Sequence, residues 1–138
     1  MPFQLSFDLH HKYKSLESGI TIEAQLQRGD LFVVADAKID CGAEVCLFSR
    51  EIGEKLGIEI ESGLPKTLGT LTGDFLSYGH ELTIKTLGLE LQTIVYFPEF
   101  ENLPRNFLGR HGWLRLVRLA IIDYDEELYL SLYDQQQI

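Results

Sequence analysis

The dominant pattern along the chain is alternation of apolar and polar positions. Ile20, Ile22, Ala24 and Leu26 alternate with Thr21, Glu23 and Gln25, the mark of a strand with one buried face. Arg28-Gly29-Asp30 predicts a turn. Leu31, Val33, Ala35, Ala37 and Ile39 then take one face, and Phe32, Val34, Asp36, Lys38 and Asp40 the other. The alternation stops at Cys41-Gly42-Ala43. A short helix is expected next, with Ser49 as N-cap, Glu51 in the first turn, Ile52 and Leu56 stacked one turn apart, and Gly57 closing the end. Lys66–Leu71, Thr72-Gly73-Asp74 and Phe75–Ile84 predict a hairpin with a glycine tip. Gly88 marks another turn, before Leu89, Leu91, Thr93, Val95 and Phe97 in strict alternation. Pro98 to Asn106 is expected as a loop, and Phe107-Leu108-Gly109-Arg110 leads into an apolar segment ending near Leu116. A last hairpin joins Leu119–Tyr124 to Leu128–Tyr133 across Asp125-Glu126-Glu127, and Gln135-Gln136-Gln137 predicts a frayed tail. These elements add up to an all-β fold with one or two short helices, closed or sandwiched as a barrel.

Length and composition narrow the function classes. The 138 residues suit one domain, able to bury a core without a disulfide or metal staple. Twelve Lys+Arg against 21 Asp+Glu give a net charge of −9. That charge repels phosphate backbones and anionic lipid, which argues against nucleic-acid and membrane-surface partners. No apolar run approaches the roughly 18 residues of a membrane span. The opening Met1-Pro2-Phe3-Gln4-Leu5-Ser6-Phe7-Asp8 lacks the basic and apolar regions of a secretory signal. Cys41 and Cys46 are too few for a disulfide framework, so reduced thiols and a cytoplasmic location are expected.

The first candidate for chemistry is Asp40, a carboxylate at the end of an apolar strand and directly before a glycine turn. A carboxylate there is either capped by backbone N–H groups in an Asx-turn or shares a proton with a second acid. Phe107-Leu108-Gly109-Arg110 is the second candidate, readable alone as a loop with a solvated arginine. A nucleophilic Cys41 would need His80 or His111 as its base. Metal binding is not indicated, since Cys41 and Cys46 have no second Cys/His pair at zinc spacing and His10-His11 read as solvated. Trp113 reads as core packing, and Asp123, Asp125, Glu126 and Glu127 as a solvated hairpin tip.

Taken in order, Ile39-Asp40-Cys41-Gly42-Ala43-Glu44, a short helix, a glycine-tipped hairpin, and Phe107-Leu108-Gly109-Arg110 before a terminal hairpin resemble the retropepsin-like aspartic proteases, from about Ile20 to Ser131. The resemblance implies a single retropepsin-like acid protease β-barrel domain and an aspartic endopeptidase. Asp40 would be the catalytic aspartate and Gly42 the turn that presents it, with Ala43 completing the motif. Thr72 and Gly73 would form the tip of a flap over an extended peptide, and Glu44 would pair with Arg110. One Asp-x-Gly motif per chain implies a homodimer, one Asp40 from each copy, and a peptide or protein substrate without cofactor or metal. Cys41 stands where the family has Thr or Ser. A thiol is a weaker hydrogen-bonding group than a hydroxyl, so a weaker clasp across the dimer is implied. The other function class is a non-catalytic relative, keeping the fold as a dimerisation or peptide-binding module.

Overall fold

The computed structural model describes residues 1–14 and 18–134, and the tail expected at Gln135-Gln136-Gln137 lies outside them. The strands are β1 (Leu9–Lys12), β2 (Thr21–Arg28), β3 (Leu31–Ile39), β4 (Cys46–Leu47), β5 (Leu64–Thr70), β6 (Gly73–Thr86), β7 (Leu89–Pro98), β8 (Asn106–Leu108), β9 (Val117–Ile122) and β10 (Glu127–Leu132). One helix, α1 (Arg50–Lys55), and short 3-10 turns at Ile60–Ser62, Leu114–Leu116 and Asp123–Asp125 complete the described elements. The fold is all-β.

Six strands close a barrel in the order β2-β3-β8-β4-β7-β6, with β6 pairing back onto β2, and β5 extends the sheet beyond β6. Most neighbours are antiparallel. The exceptions position the site: β3 runs parallel to β8, with Ile39 opposite Leu108, and β4 runs parallel to β7. Parallel pairing puts the C-terminal ends of β3 and β8 side by side, so the chain leaves the barrel at Asp40 and at Gly109 in the same place.

The expected alternation is seen in β2, where Ile22, Ala24 and Leu26 are buried, and in β7, where Leu91, Thr93, Val95 and Phe97 are. In β3 it holds from Phe32 to Ala37, with Val33 and Ala35 packed against the core and Phe32, Val34 and Asp36 exposed, and it fails at Leu31, which is 51% exposed. Only Ala37–Ile39 of β3 pair with β8, so Leu31 has a strand neighbour on one side alone, at Arg28 of β2. β1 was not expected. It pairs with β10, which pairs with β9, and this smaller sheet buries Leu128 and Leu130 against the main core.

Trp113 is fully buried, as its reading as core packing requires, and its indole N–H donates to the buried Thr86 hydroxyl at 3.1 Å. Helix α1 ends on Gly57 at φ 75°, with Ile58 N–H bonded to Gly53 O at 3.1 Å and Gly57 N–H to Glu54 O at 3.0 Å. This is the paired-bond C-terminus that a left-handed glycine permits. Ser49 occupies the N-cap, but its hydroxyl makes no cap bond; its N–H donates to Asn106 Oδ1 at 3.0 Å instead.

Candidate active site

Asp40 is the first residue after β3 and is partly exposed. Its N–H donates to Leu108 O at 3.0 Å, which continues the β3–β8 pairing by one residue. Ala43 N–H closes a turn onto Asp40 O at 3.1 Å, and Gly42 N–H donates to Asp40 Oδ1 at 2.8 Å. The carboxylate thus caps its own turn with one oxygen. Its second oxygen accepts no hydrogen bond from the described residues.

Beneath this turn the segment after β8 is locked in place by backbone. Arg110 N–H donates to Ala43 O at 2.9 Å and His111 N–H to Glu44 O at 2.8 Å, with Val45 and His111 forming an isolated parallel bridge. The approach is so close that a Cβ on Gly109 would sit 2.2 Å from Val45 O and 2.8 Å from Ala43 O. Only glycine fits there, and the reason is contact rather than φ. Cys46 lies in the same joint, fully buried. Burial pushes its thiol up to about 11, partly countered by a hydrogen bond from the Gly109 backbone.

A cavity of about 420 Å³ opens on this turn, bounded by Asp40, Gly42, Ala43 and Glu44 on one side. Its walls are apolar, from Val45, Leu47, Leu68, Phe75 and Phe107, and its cover is the β5–β6 hairpin at Gly69 and Thr70. The hairpin tip holds itself through side chain to backbone bonds: Thr70 Oγ1 to Gly73 O at 2.5 Å, and Thr72 N–H to Thr70 Oγ1 at 3.3 Å. The structure therefore gathers Asp40, Gly42, Ala43 and Glu44 around one cavity, with Thr72 and Gly73 at the tip above but outside its lining. Cys41 is exposed and also outside that lining. His80, considered as a base for Cys41, has Nε2 2.9 Å from Ile60 O.

The expected Glu44–Arg110 ion pair is not formed. Glu44 instead pairs with Lys66 of β5 at 2.9 Å, and this holds the Lys66 ammonium above its usual range. The two segments meet as expected, but main chain joins them: Arg110 offers its backbone N–H while its side chain is exposed. Lys66 was missed in the sequence. The available signal was the period of β5, which sets Lys66, Leu68 and Thr70 on one face; Leu68 and Thr70 line the cavity.

Among the described residues, no group of three or more His, Cys, Asp or Glu side chains converges as a metal site would. No helix among the described residues is long and apolar enough to cross a membrane. Compared with models of known protein families and with curated proteins, the chain matches none.

Proposed function

We propose that this chain is an aspartic endopeptidase of the retropepsin-like kind, active as a homodimer that sets one Asp40 from each copy across a shared cleft. The observation that carries this reading is the interlock of the Asp40–Glu44 turn with Leu108–His111, placed by two parallel strands at the mouth of an apolar cavity roofed by a hairpin. A loose surface Asx-turn needs no such support. The free carboxylate oxygen faces no competing donor among the described residues, as a proton-sharing acid requires.

Two close carboxylates hold one proton between them. The ionised one takes a proton from water as the water oxygen attacks the peptide carbonyl, and the protonated one gives its proton to the carbonyl oxygen. Collapse of the tetrahedral diol breaks the C–N bond: the amine leaves with the pair's proton, and the pair takes one proton back from a diol hydroxyl as the carboxylic acid forms. The apolar walls suit extended peptides with apolar side chains at the cleaved bond.

The test is cleavage of a peptide pool by the purified chain and by Asp40→Asn. Asparagine keeps an oxygen for Gly42 N–H, so the fold should stay within about 0.5 kcal/mol of wild type while cleavage falls to background. Cleavage should also decline as pH rises and the shared proton is lost. Equal rates for both proteins would end the proposal. The dimer is tested separately by sedimentation of wild type, Cys41→Ser and Cys41→Thr. Two stronger clasp bonds at about 0.5–1.5 kcal/mol each should tighten association by about 5- to 150-fold. Identical constants would remove Cys41 from the interface.

A further inference from the structure

A second cavity, of about 510 Å³, adjoins the first and shares Glu44 and Val45 with it. Its lining differs in character. Lys66 from β5, Tyr96 from β7, and His111 and Arg115 from the segment after β8 bring hydrogen-bond donors into it, alongside Gln92 and Thr93. Glu44 is the only carboxylate among the described residues that line it, and it is already paired with Lys66 at 2.9 Å. An ammonium has three donors, so Lys66 keeps two. Arg115 and His111 have no side-chain acceptor among the described residues. In a chain of net charge −9, this cavity sets Lys66 and Arg115 against the one carboxylate of Glu44, a local balance of +1, with Arg115 unpaired among the described residues.

We propose that this cavity is a carboxylate subsite, taking an acidic side chain of the peptide that lies in the Asp40 cavity. Glu44 is the partition between the compartments, so an extended strand passing it delivers a flanking residue to Lys66 and Arg115. Arg115 is the specificity-determining group: its planar fork suits a carboxylate, whereas Lys66 acts as a point charge tied to Glu44. The inference rests on the peptidase reading for the identity of the ligand, but the charge of the cavity does not.

The experiment uses the full Asp40→Asn chain in two arms. In the first, amide-resolved NMR follows titration with N-acetyl-glutamate N-methylamide and with its glutamine counterpart. The glutamate compound should shift the amides of Gln92, Thr93 and Gly112, and the glutamine compound should not. Arg115→Glu should weaken that binding at least tenfold, and Arg115→Gln, the milder change at this exposed position, should weaken it several-fold. Equal response to both compounds, or no effect of either variant, overturns the carboxylate site. In the second arm, an octapeptide library is captured on the same chain. Asp and Glu should be enriched at one position and lose that enrichment in Arg115→Glu, with the apolar preference retained. Library capture without acidic enrichment overturns the subsite. Glutamate-amide binding without any peptide capture overturns it too, and in that case the fault lies with the peptidase reading.

Discussion

The floor and the roof of the Asp40 cavity are held by different forces. The floor is main chain against main chain: Asp40, Arg110 and His111 N–H groups reach across to Leu108, Ala43 and Glu44 carbonyls, and Gly109 leaves no space for a methyl group. The roof is a hairpin whose tip residue Leu71 is fully exposed, joined to the floor by the exposed Glu44–Lys66 pair and by Leu68 and Phe75 packing on Val45 and Leu47. Backbone contacts fix where a carboxylate sits, whereas a few surface side chains set how a cover rests on it. Elements that must open are drawn from such weakly held parts of a fold.

The sharpest break of this contrast compares two glycines. Gly109→Ala drives a methyl group into the Val45 carbonyl, and backbone cannot yield as a flexible side chain can. We expect a loss of about 3 kcal/mol or more in urea unfolding. Gly73→Ala, at the roof, meets no atom within 4 Å and suffers only from its φ of 131°. Its cost should be about 1–2 kcal/mol. A Gly109→Ala protein as stable as Gly73→Ala would show that the floor is not the rigid joint described.

The two cysteines sharpen it next. Cys41 is exposed at the turn and should react with a thiol reagent at once, whereas Cys46 is sealed in the floor and should react only when the joint opens. The pH dependence follows. Burial raises the Cys46 thiol from 9.0 to about 11, so the folded state prefers the protonated form. The resulting stability is complete below pH 9, where both states hold the proton, and is lost as pH rises from 9 through 11. The loss amounts to about 2–3 kcal/mol. Tyr13, buried and hydrogen-bonded to Asp123, is raised to about 12 and adds a loss above pH 10. Cys46→Ala should flatten the profile between pH 9 and 10 and leave the Tyr13 loss that begins above pH 10. An unchanged alkaline profile in that variant would remove Cys46 as its cause.

What was legible in the sequence is what local pattern encodes. Strands β2 and β7 follow from period-2 burial, and the turns at Gly29, Gly73 and Gly88 from glycines with positive φ. The Asp40–Gly42 turn was equally readable. β1 was not, because Leu9-His10-His11-Lys12 carries one aliphatic residue and becomes a strand only by pairing with β10. The position of Gly109 could be read, but its cause, a carbonyl 2.2 Å from where a Cβ would be, exists only once β3 and β8 lie parallel. The partner of Glu44 was mistaken for the same reason. Charge pairing depends on which strand returns over the turn, and β5 returns with Lys66 facing down.

That correction yields the smallest prediction. If the roof rests on Glu44–Lys66, Lys66→Met should quicken amide exchange at Thr70–Gly73 several-fold while leaving global stability near wild type. Arg110→Met should do neither, because Arg110 acts through its backbone N–H, which methionine also supplies. Salt provides an independent check. An exposed ion pair is screened at a Debye length of about 3 Å in 1 M salt. Wild-type exchange at the tip should therefore rise toward the Lys66→Met value, and the variant should respond little. A hairpin that exchanges alike in wild type and Lys66→Met would mean that Leu68 and Phe75 alone hold the roof. A response confined to Arg110→Met would restore the pairing first expected from the sequence.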